Sequence, residues 1–304
     1  MSTFYNSERL KYNQMNYNND VELDNFCSQC LLVINAVGPS FKINDKIALH
    51  ALRNNCHYID IGGYGILRDL LKPYEKSIEA QKLCFIIGVG WMPGISGVFS
   101  KTIIETHLNS PENTNFNIYY GAVDNWSYSS TYDLAASSMG KTRSYVYSHG
   151  KEIQVSPFRY THHKFFPFIG HKKICMPSFD EQLTQLATSL KQIRKISTFI
   201  MLNDYISMGK FMFIKIFYKH NLNKATLMLQ DDYQRLVKKE NKWGSVICQV
   251  SKIEPERKID TFYYLYTKNN LLYTALPAVI TTQYILVYLA NLHTSFLCNL
   301  IYPT

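Results

Sequence analysis

Three glycine-bearing stretches hold the residues whose types and spacing point to chemistry. Asn35-Ala36-Val37-Gly38-Pro39 follows the apolar run Leu31-Leu32-Val33-Ile34. Gly62-Gly63-Tyr64-Gly65 follows His57-Tyr58-Ile59-Asp60-Ile61, and Gly88-Val89-Gly90-Trp91-Met92-Pro93-Gly94-Ile95-Ser96-Gly97 follows Leu83-Cys84-Phe85-Ile86-Ile87. Short apolar runs ended by turn residues are the pattern of strands buried on both faces of a parallel sheet. In open α/β sheets, ligands bind outside the carboxyl ends of such strands, where glycine lets a bound molecule approach the backbone. The chemistry these residues suit is therefore the holding of a small molecule. They contain no nameable acid–base pair, and the catalytic residues are left unassigned.

Other constellations are weaker. Cys27-Ser28-Gln29-Cys30 is a lone CxxC without a second ligand pair at zinc-site spacing, so it reads as buried thiols ahead of a strand. His162, His163, His171 and Cys175 are close in sequence, but adjacent histidines in a strand point to opposite faces, and no carboxylate motif accompanies them. No metal site is expected. Ala135 to Thr142 misses a phosphate loop by its first glycine and precedes a strand rather than a helix. Asp124, Trp126 and Tyr128 are candidates to face the same cleft as the third glycine stretch, the two aromatics reading first as packing residues.

The elements that must position these residues are legible. Ile43, Ile47, Ala51 and Leu52 recur at helical spacing until Asn54-Asn55 break the pattern, so the chain from Leu31 to Ile61 reads as one strand–helix–strand unit. Leu67, Leu70, Leu71, Tyr74 and Ile78 predict a crossover helix that Pro73 interrupts. A further helix is expected from Ile95 to Leu108. The composition shifts at Asn109-Ser110-Pro111-Glu112, marking a boundary. Beyond it, strands are expected at Asn115 to Gly121, at Ser144 to Ser148 turning through His149-Gly150 into Glu152 to Val155, and as a pair at Trp243 to Lys252 and Ile259 to Lys268. The helix from about Asp204 to His220 is apolar nearly all round, and such a helix must be covered by core, by a second copy or by lipid. Leu271 to Thr304 contains no Asp, Glu, Lys or Arg. That run is long enough to span a bilayer, although Pro277, Gln283, His293 and several threonines dilute it.

A strand ending N-A-x-G-P, a helix, then H-Y-x-D-x-G-G, and after the next strand a G-x-x-P-G-(I/L)-S loop resemble the saccharopine dehydrogenase-like (saccharopine reductase-like) oxidoreductases. The resemblance covers most of the chain except the family's amino end. It implies a partial Rossmann-type, doubly wound parallel sheet over residues 1–112, completed by a return helix within 270–304. An antiparallel α+β substrate or dimerisation domain over 113–269 would complete the chain. It implies NAD or NADP as cofactor, contacted by Asn35, Ala36, Gly38, Pro39, Gly62 and Gly63. It places Tyr64, Trp91, Met92, Pro93, Gly94 and Ser96 on the substrate side. Hydride transfer at a C–N or related centre of a small metabolite is the implied reaction. Met92 stands where saccharopine-type members carry an Asp, which argues for a more apolar substrate than saccharopine.

One absence qualifies this. The first glycine of the chain is Gly38, so the G-x-G-x-x-G turn that brings backbone amides to a pyrophosphate is not in the sequence. Weak cofactor binding by a truncated or remnant chain, a non-catalytic scaffold of the same fold, or a membrane-anchored member are the expectations that follow. At 304 residues, 46% hydrophobic and 18% charged, the composition is that of a globular chain with a sizeable core. The net charge of +9 is spread rather than clustered, which argues against a dedicated nucleic-acid role. Seven scattered cysteines and no signal peptide point to a reducing cytoplasm.

Overall fold

A computed structural model describes residues 10–63, 65–108, 111–139, 144–179, 181–218 and 220–291. Helix α1 (Asp20–Cys27) opens on Asn19, whose side chain accepts from the Val21 and Glu22 amides. Strand β1 (Leu32–Asn35) leads to the short helix α2 (Ser40–Ile43), then α3 (Lys46–Arg53) and β2 (His57–Asp60). Helix α4 (Gly65–Leu71) and helix α5 (Glu75–Ala80) are separated by a 3₁₀ turn at Lys72–Tyr74 that holds Pro73, as expected of a residue that cannot donate to a continuous α-helix. Strand β3 (Phe85–Ile87) follows. The three strands form a parallel sheet in the order β1-β2-β3, with Leu32 opposite His57 and Tyr58 opposite Phe85.

Both faces of this sheet are covered by helices, because period-2 side chains on a buried strand alternate between two apolar layers. Val33 and Tyr58 pack with Leu23, Ile47, Ala51 and Leu67 of α1, α3 and α4. Buried His50 of α3 lies 2.6 Å from Asp24 and ties α3 to α1. On the other face Ile59 and Val89 pack with Ala278 and Ile285, which belong to a helix far along the chain.

The second body begins with α6 (Ile95–Glu105), β4 (Thr114–Val123) and α7 (Tyr128–Met139). It continues through β5 (Ser144–Ser148), β6 (Lys151–Val155), α8 (Pro157–Tyr160), β7 (His162–Phe166), β8 (His171–Pro177), α9 (Glu181–Ser189) and β9 (Lys195–Leu202). Helices α10 (Tyr205–Phe217) and α11 (Leu222–Val237), strands β10 (Trp243–Ile253) and β11 (Lys258–Thr267), and α12 (Asn270–Asn291) complete it. One sheet runs β11-β10-β4-β9-β5-β6, with β8 on β9 and β7 on β8. The antiparallel expectation needs correcting here. β4 and β9 pair in parallel, so the sheet is mixed; more than seventy residues separate the two strands, and a long connection permits a parallel return where a hairpin does not.

Helix α10 is covered on one side. Its Phe211 and Ile214 are buried, but Tyr205, Ile206, Phe213, Ile216 and Phe217 are 39–65% exposed, so only one side of this apolar helix is covered within the chain. Helix α12 contains Pro277 and is long and apolar enough to cross a membrane. Its Ala278 and Ile285 pack against Ile59 and Val89 of the parallel-sheet body, while Leu271, Val279, Ile280 and Val287 are exposed. The expected closing turn at Tyr302-Pro303 lies outside the described residues.

Candidate functional site

The carboxyl ends of β1, β2 and β3 meet at a buried polar knot. Asn35, at 5% exposure, donates from Nδ2 to Asp60 Oδ2 at 2.8 Å and accepts from the Val37 amide at 3.0 Å. The Tyr58 hydroxyl donates to the same Asp60 oxygen at 2.6 Å. Burial pushes the Asp60 carboxyl up, partly offset by the donors Tyr58 and Asn35 and the Gly63 and Gly62 amides. Asn35 is thus spent on the protein itself, leaving Ala36 and Val37 exposed at the end of β1.

The glycines of the first two stretches also face protein. A Cβ on Gly38 would lie 2.9 Å from Ser129 Cβ of α7, and one on Gly62 would collide with Ser40 Oγ. The same helix α7 sends Asp133, buried at 6% exposure, to the start of α2, where it accepts from the Ser40 amide at 2.9 Å and the Phe41 amide at 3.2 Å. Lys42 lies 4.5 Å over the Tyr132 ring. Burial raises the Asp133 carboxyl, against the hydrogen bonds from those two amides. Orphan amides at a helix start are the ordinary seat for an external anion, and here a carboxylate of the chain holds them. Pro39 joins Gly38 through a cis bond at this contact.

The third stretch folds on itself. Gly90 donates to the Pro93 carbonyl at 3.1 Å, Ile95 to Gly90 at 3.0 Å and Ser96 to Trp91 at 3.1 Å. The Gly94 amide reaches Gln182 Oε1 at 2.9 Å, with a φ of +129 that a side chain rarely adopts. Gly94 and Ser96 are buried, and the Ser96 hydroxyl has no hydrogen-bond partner among the described residues. Pro93 packs against Gly88. Trp91 is buried and Met92 half-buried. They line a cavity of about 50 Å³ together with Trp126, Met201, Phe211 and Leu229, closed at its polar end by Asn203, Ser207 and Asp232. Trp91 meets Tyr273 of α12 edge-on at 5.8 Å. Tyr64 lies outside the described residues.

The polar end of the cavity is held by charge. Arg235 forks onto Asp204 at 2.7 and 3.0 Å and reaches Asp232 at 2.8 Å. Burial alone would raise the Asp204 carboxyl, but the Arg235 bonds outweigh it and hold it at about 2. Of the cleft candidates, Trp126 faces the cavity and stacks on Tyr233 at 5.3 Å. Asp124 is tied to Lys242 at 2.7 Å and to Asn270 at 3.1 Å, and the Tyr128 hydroxyl to Asn223 at 2.8 Å. Neither lines the cavity.

Asp133, Ser129, Gln182 and Ser207 escaped the sequence reading. Asp133 alone carried a signal: it is the one acid between Asp124 and Glu152, set in a helix of small and apolar residues. Among the described residues no group of three metal-ligating side chains converges. Cys27 is pushed up to about 12 by burial, and Cys56 donates to the Cys27 and Cys30 carbonyls, so these thiols are packing groups. A nicotinamide dinucleotide fits this arrangement only in part. The strand ends are present, but the Ser40 and Phe41 amides of α2 and the Gly90, Gly94, Ile95 and Ser96 amides of the third stretch are already hydrogen-bonded within the chain.

A three-stranded parallel sheet with helices on both faces, joined to a mixed-sheet domain, is a Rossmann-type architecture. Saccharopine dehydrogenase (L-Glu forming) from Saccharomyces cerevisiae has this fold at a TM-score of 0.60 and 13% identity, covering 90% of this chain and 80% of that one. A dehydrogenase (MviM) from Clostridium difficile aligns over 88% of this chain and 81% of its own, at a TM-score of 0.33 and 8% identity. No family model and no curated protein matches the sequence.

Proposed function

We propose that the chain is an oxidoreductase of the saccharopine dehydrogenase-like type, in a reducing, cytoplasmic setting, acting at a C–N or related centre of a small metabolite. The observation that carries this is the joining of glycine-rich strand ends to a separate mixed-sheet domain, with Trp91 and Met92 lining a mainly apolar cavity between the loop after β3 and helices α7, α10 and α11. Ala36 and Val37 at the open end of β1 would touch NAD or NADP, with Gly38, Pro39, Gly62 and Gly63 shaping the wall behind them. When bound, the cofactor would supply the hydride. The substrate side belongs to Trp91 and Met92, which carry no charge, so the group they accept is apolar.

Because the G-x-G-x-x-G turn is absent from the sequence and the Ser40 and Phe41 amides are held by Asp133, these residues alone should hold the cofactor poorly. Each charge-assisted bond of the kind a cradle provides contributes about 1.5–3 kcal/mol, so lacking two of them costs about two to four decades of affinity. Calorimetric titration with NADPH and NADH measures this directly. Weak but saturable binding supports the enzyme reading. Complete absence of binding, with no turnover of any imine or amine substrate, favours the second reading, a scaffold that keeps the fold; the Asp133 carboxylate on the α2 amides is the observation on its side. Tight binding by this chain would overturn the geometry described above.

A further inference from the structure

The exposed face of α10 is a single stripe. Tyr205, Ile206, Gly209, Phe213, Ile216 and Phe217 are its exposed positions, and at 100° per residue they fall within about 120° of arc, none of them charged. Phe213 and Phe217 stack at 4.5 Å. The stripe continues past the start of the helix. The Tyr205 hydroxyl lies 3.0 Å from His163 Nε2 on β7, and exposed Phe165 stands two residues along the same face of that strand. At the other end Leu227 of α11 is 57% exposed. Five or six large side chains about half exposed amount to roughly 500 Å², at the upper end of what a monomer leaves uncovered.

The rim decides what covers it. No acid falls between Tyr205 and Gln230; of the lysines described there, Lys210 is paired with Asp231 and Lys215 lies over the Phe211 ring, which leaves Lys224. Lys224 and His220 border the stripe beyond Phe217, and Lys172, paired in register with Phe165, borders it at the hairpin. The neighbouring acids are already committed: Asp231 to Lys210 at 2.6 Å, Asp204 to Arg235, and Glu240 to Lys173 at 3.1 Å. A second copy laid antiparallel on the stripe would bring basic rim against basic rim, a repulsive arrangement. An anionic surface would instead meet the lysines while the Phe and Ile side chains enter an apolar layer.

We propose that α10 and the β7–β8 hairpin dock this protein on the surface of a bilayer containing anionic lipid, with the apolar stripe at the boundary between headgroups and acyl chains. The protein lies on the membrane by this face and does not cross it there.

Flotation of the full chain with phosphatidylcholine vesicles, with and without phosphatidylserine, tests the assignment. Binding to the anionic vesicles that falls with added salt is the expected result. Ile216→Ser with Phe217→Ser, both exposed, should lower that binding by about tenfold or more while circular dichroism and melting stay unchanged. Lys172→Glu with Lys224→Glu leaves the stripe intact and should remove the preference for phosphatidylserine. Absence of binding to anionic vesicles, or binding indifferent to both double variants, would overturn the proposal. So would a stable dimer that the Ile216 and Phe217 substitutions split, since the stripe would then belong to a second copy.

Discussion

Asp60 and Asp204 show how one residue type takes opposite roles from its surroundings. Asp60 sits in a dry site where burial raises its carboxyl; Asp204 is forked by Arg235 and held at about 2. The linkage signs differ accordingly. For Asp60 the unfolded chain loses its proton first as pH rises above about 4, so this group weakens the fold progressively through that range. Removing one of its donors should hurt most where it is ionised. Tyr58→Phe should cost about 1–3 kcal/mol in denaturant titration at neutral pH and less near pH 4. For Asp204 the contribution is complete above the ordinary carboxylate value of about 3.9 and is lost as pH falls from there towards the folded value of about 2. The stability gap between Asp204→Asn and the parent should therefore be full at pH about 6 and narrowed at pH about 3; an unchanged gap would remove Asp204–Arg235 from the account. Residues of these types were visible in the sequence, but their use was not. Asn35, Gly38 and Gly62 read as ligand contacts because a buried knot and a ligand cradle call for the same residue types. The contacts that occupy them here are Asp60 for Asn35, Ser40 for Gly62 and, about ninety residues further on, Ser129 for Gly38.

At the scale of elements, the contact of α7 with α2 joins the two halves of the candidate site. Asp133→Ala leaves the Ser40 and Phe41 amides without their acceptor. A lost cap of this kind costs about 1 kcal/mol, and hydrogen exchange should accelerate at residues 40–43 before it does in β1 or β2. Unchanged exchange would mean that water replaces the carboxylate without loss. Local signals made most elements legible: the Pro73 interruption, the β5–β6 hairpin through His149-Gly150 with both residues at positive φ, and the β10–β11 pair. Two features were not local. The parallel pairing of β4 with β9 depends on where a long connection returns, which apolar periodicity does not encode. The uncovered side of α10 depends on which neighbours reach it, and its composition gives the same all-apolar pattern on both sides.

For the whole molecule, α12 is the member that makes two bodies into one. Its first residue, Asn270, donates from Nδ2 to Asp124 at 3.1 Å and to the Trp243 carbonyl at 3.2 Å, both in the mixed-sheet body. Tyr273 meets Trp91 a turn later, and Ala278 and Ile285 sit against Ile59 and Val89 of the parallel-sheet body. A helix anchored at one end in one core and along its length in the other couples their unfolding, since the parallel sheet loses the cover of one face without it. Tryptophan fluorescence, which reports Trp91, Trp126 and Trp243, should melt at the same temperature as the far-ultraviolet signal of all the helices. Ala278 is 4% exposed, so Ala278→Glu places an unpaired carboxylate between α12 and β2, at a cost of about 3 kcal/mol or more. That cost falls on the parallel sheet alone, while the mixed sheet retains its own core of Phe116, Ile118, Val246 and Leu183. The variant should therefore melt in two steps, the far-ultraviolet signal falling first and the tryptophan signal holding to a higher temperature. A single coincident transition in the variant would mean that the parallel-sheet body is held to its neighbour chiefly by the α2–α7 contact, with α12 a passenger on its surface.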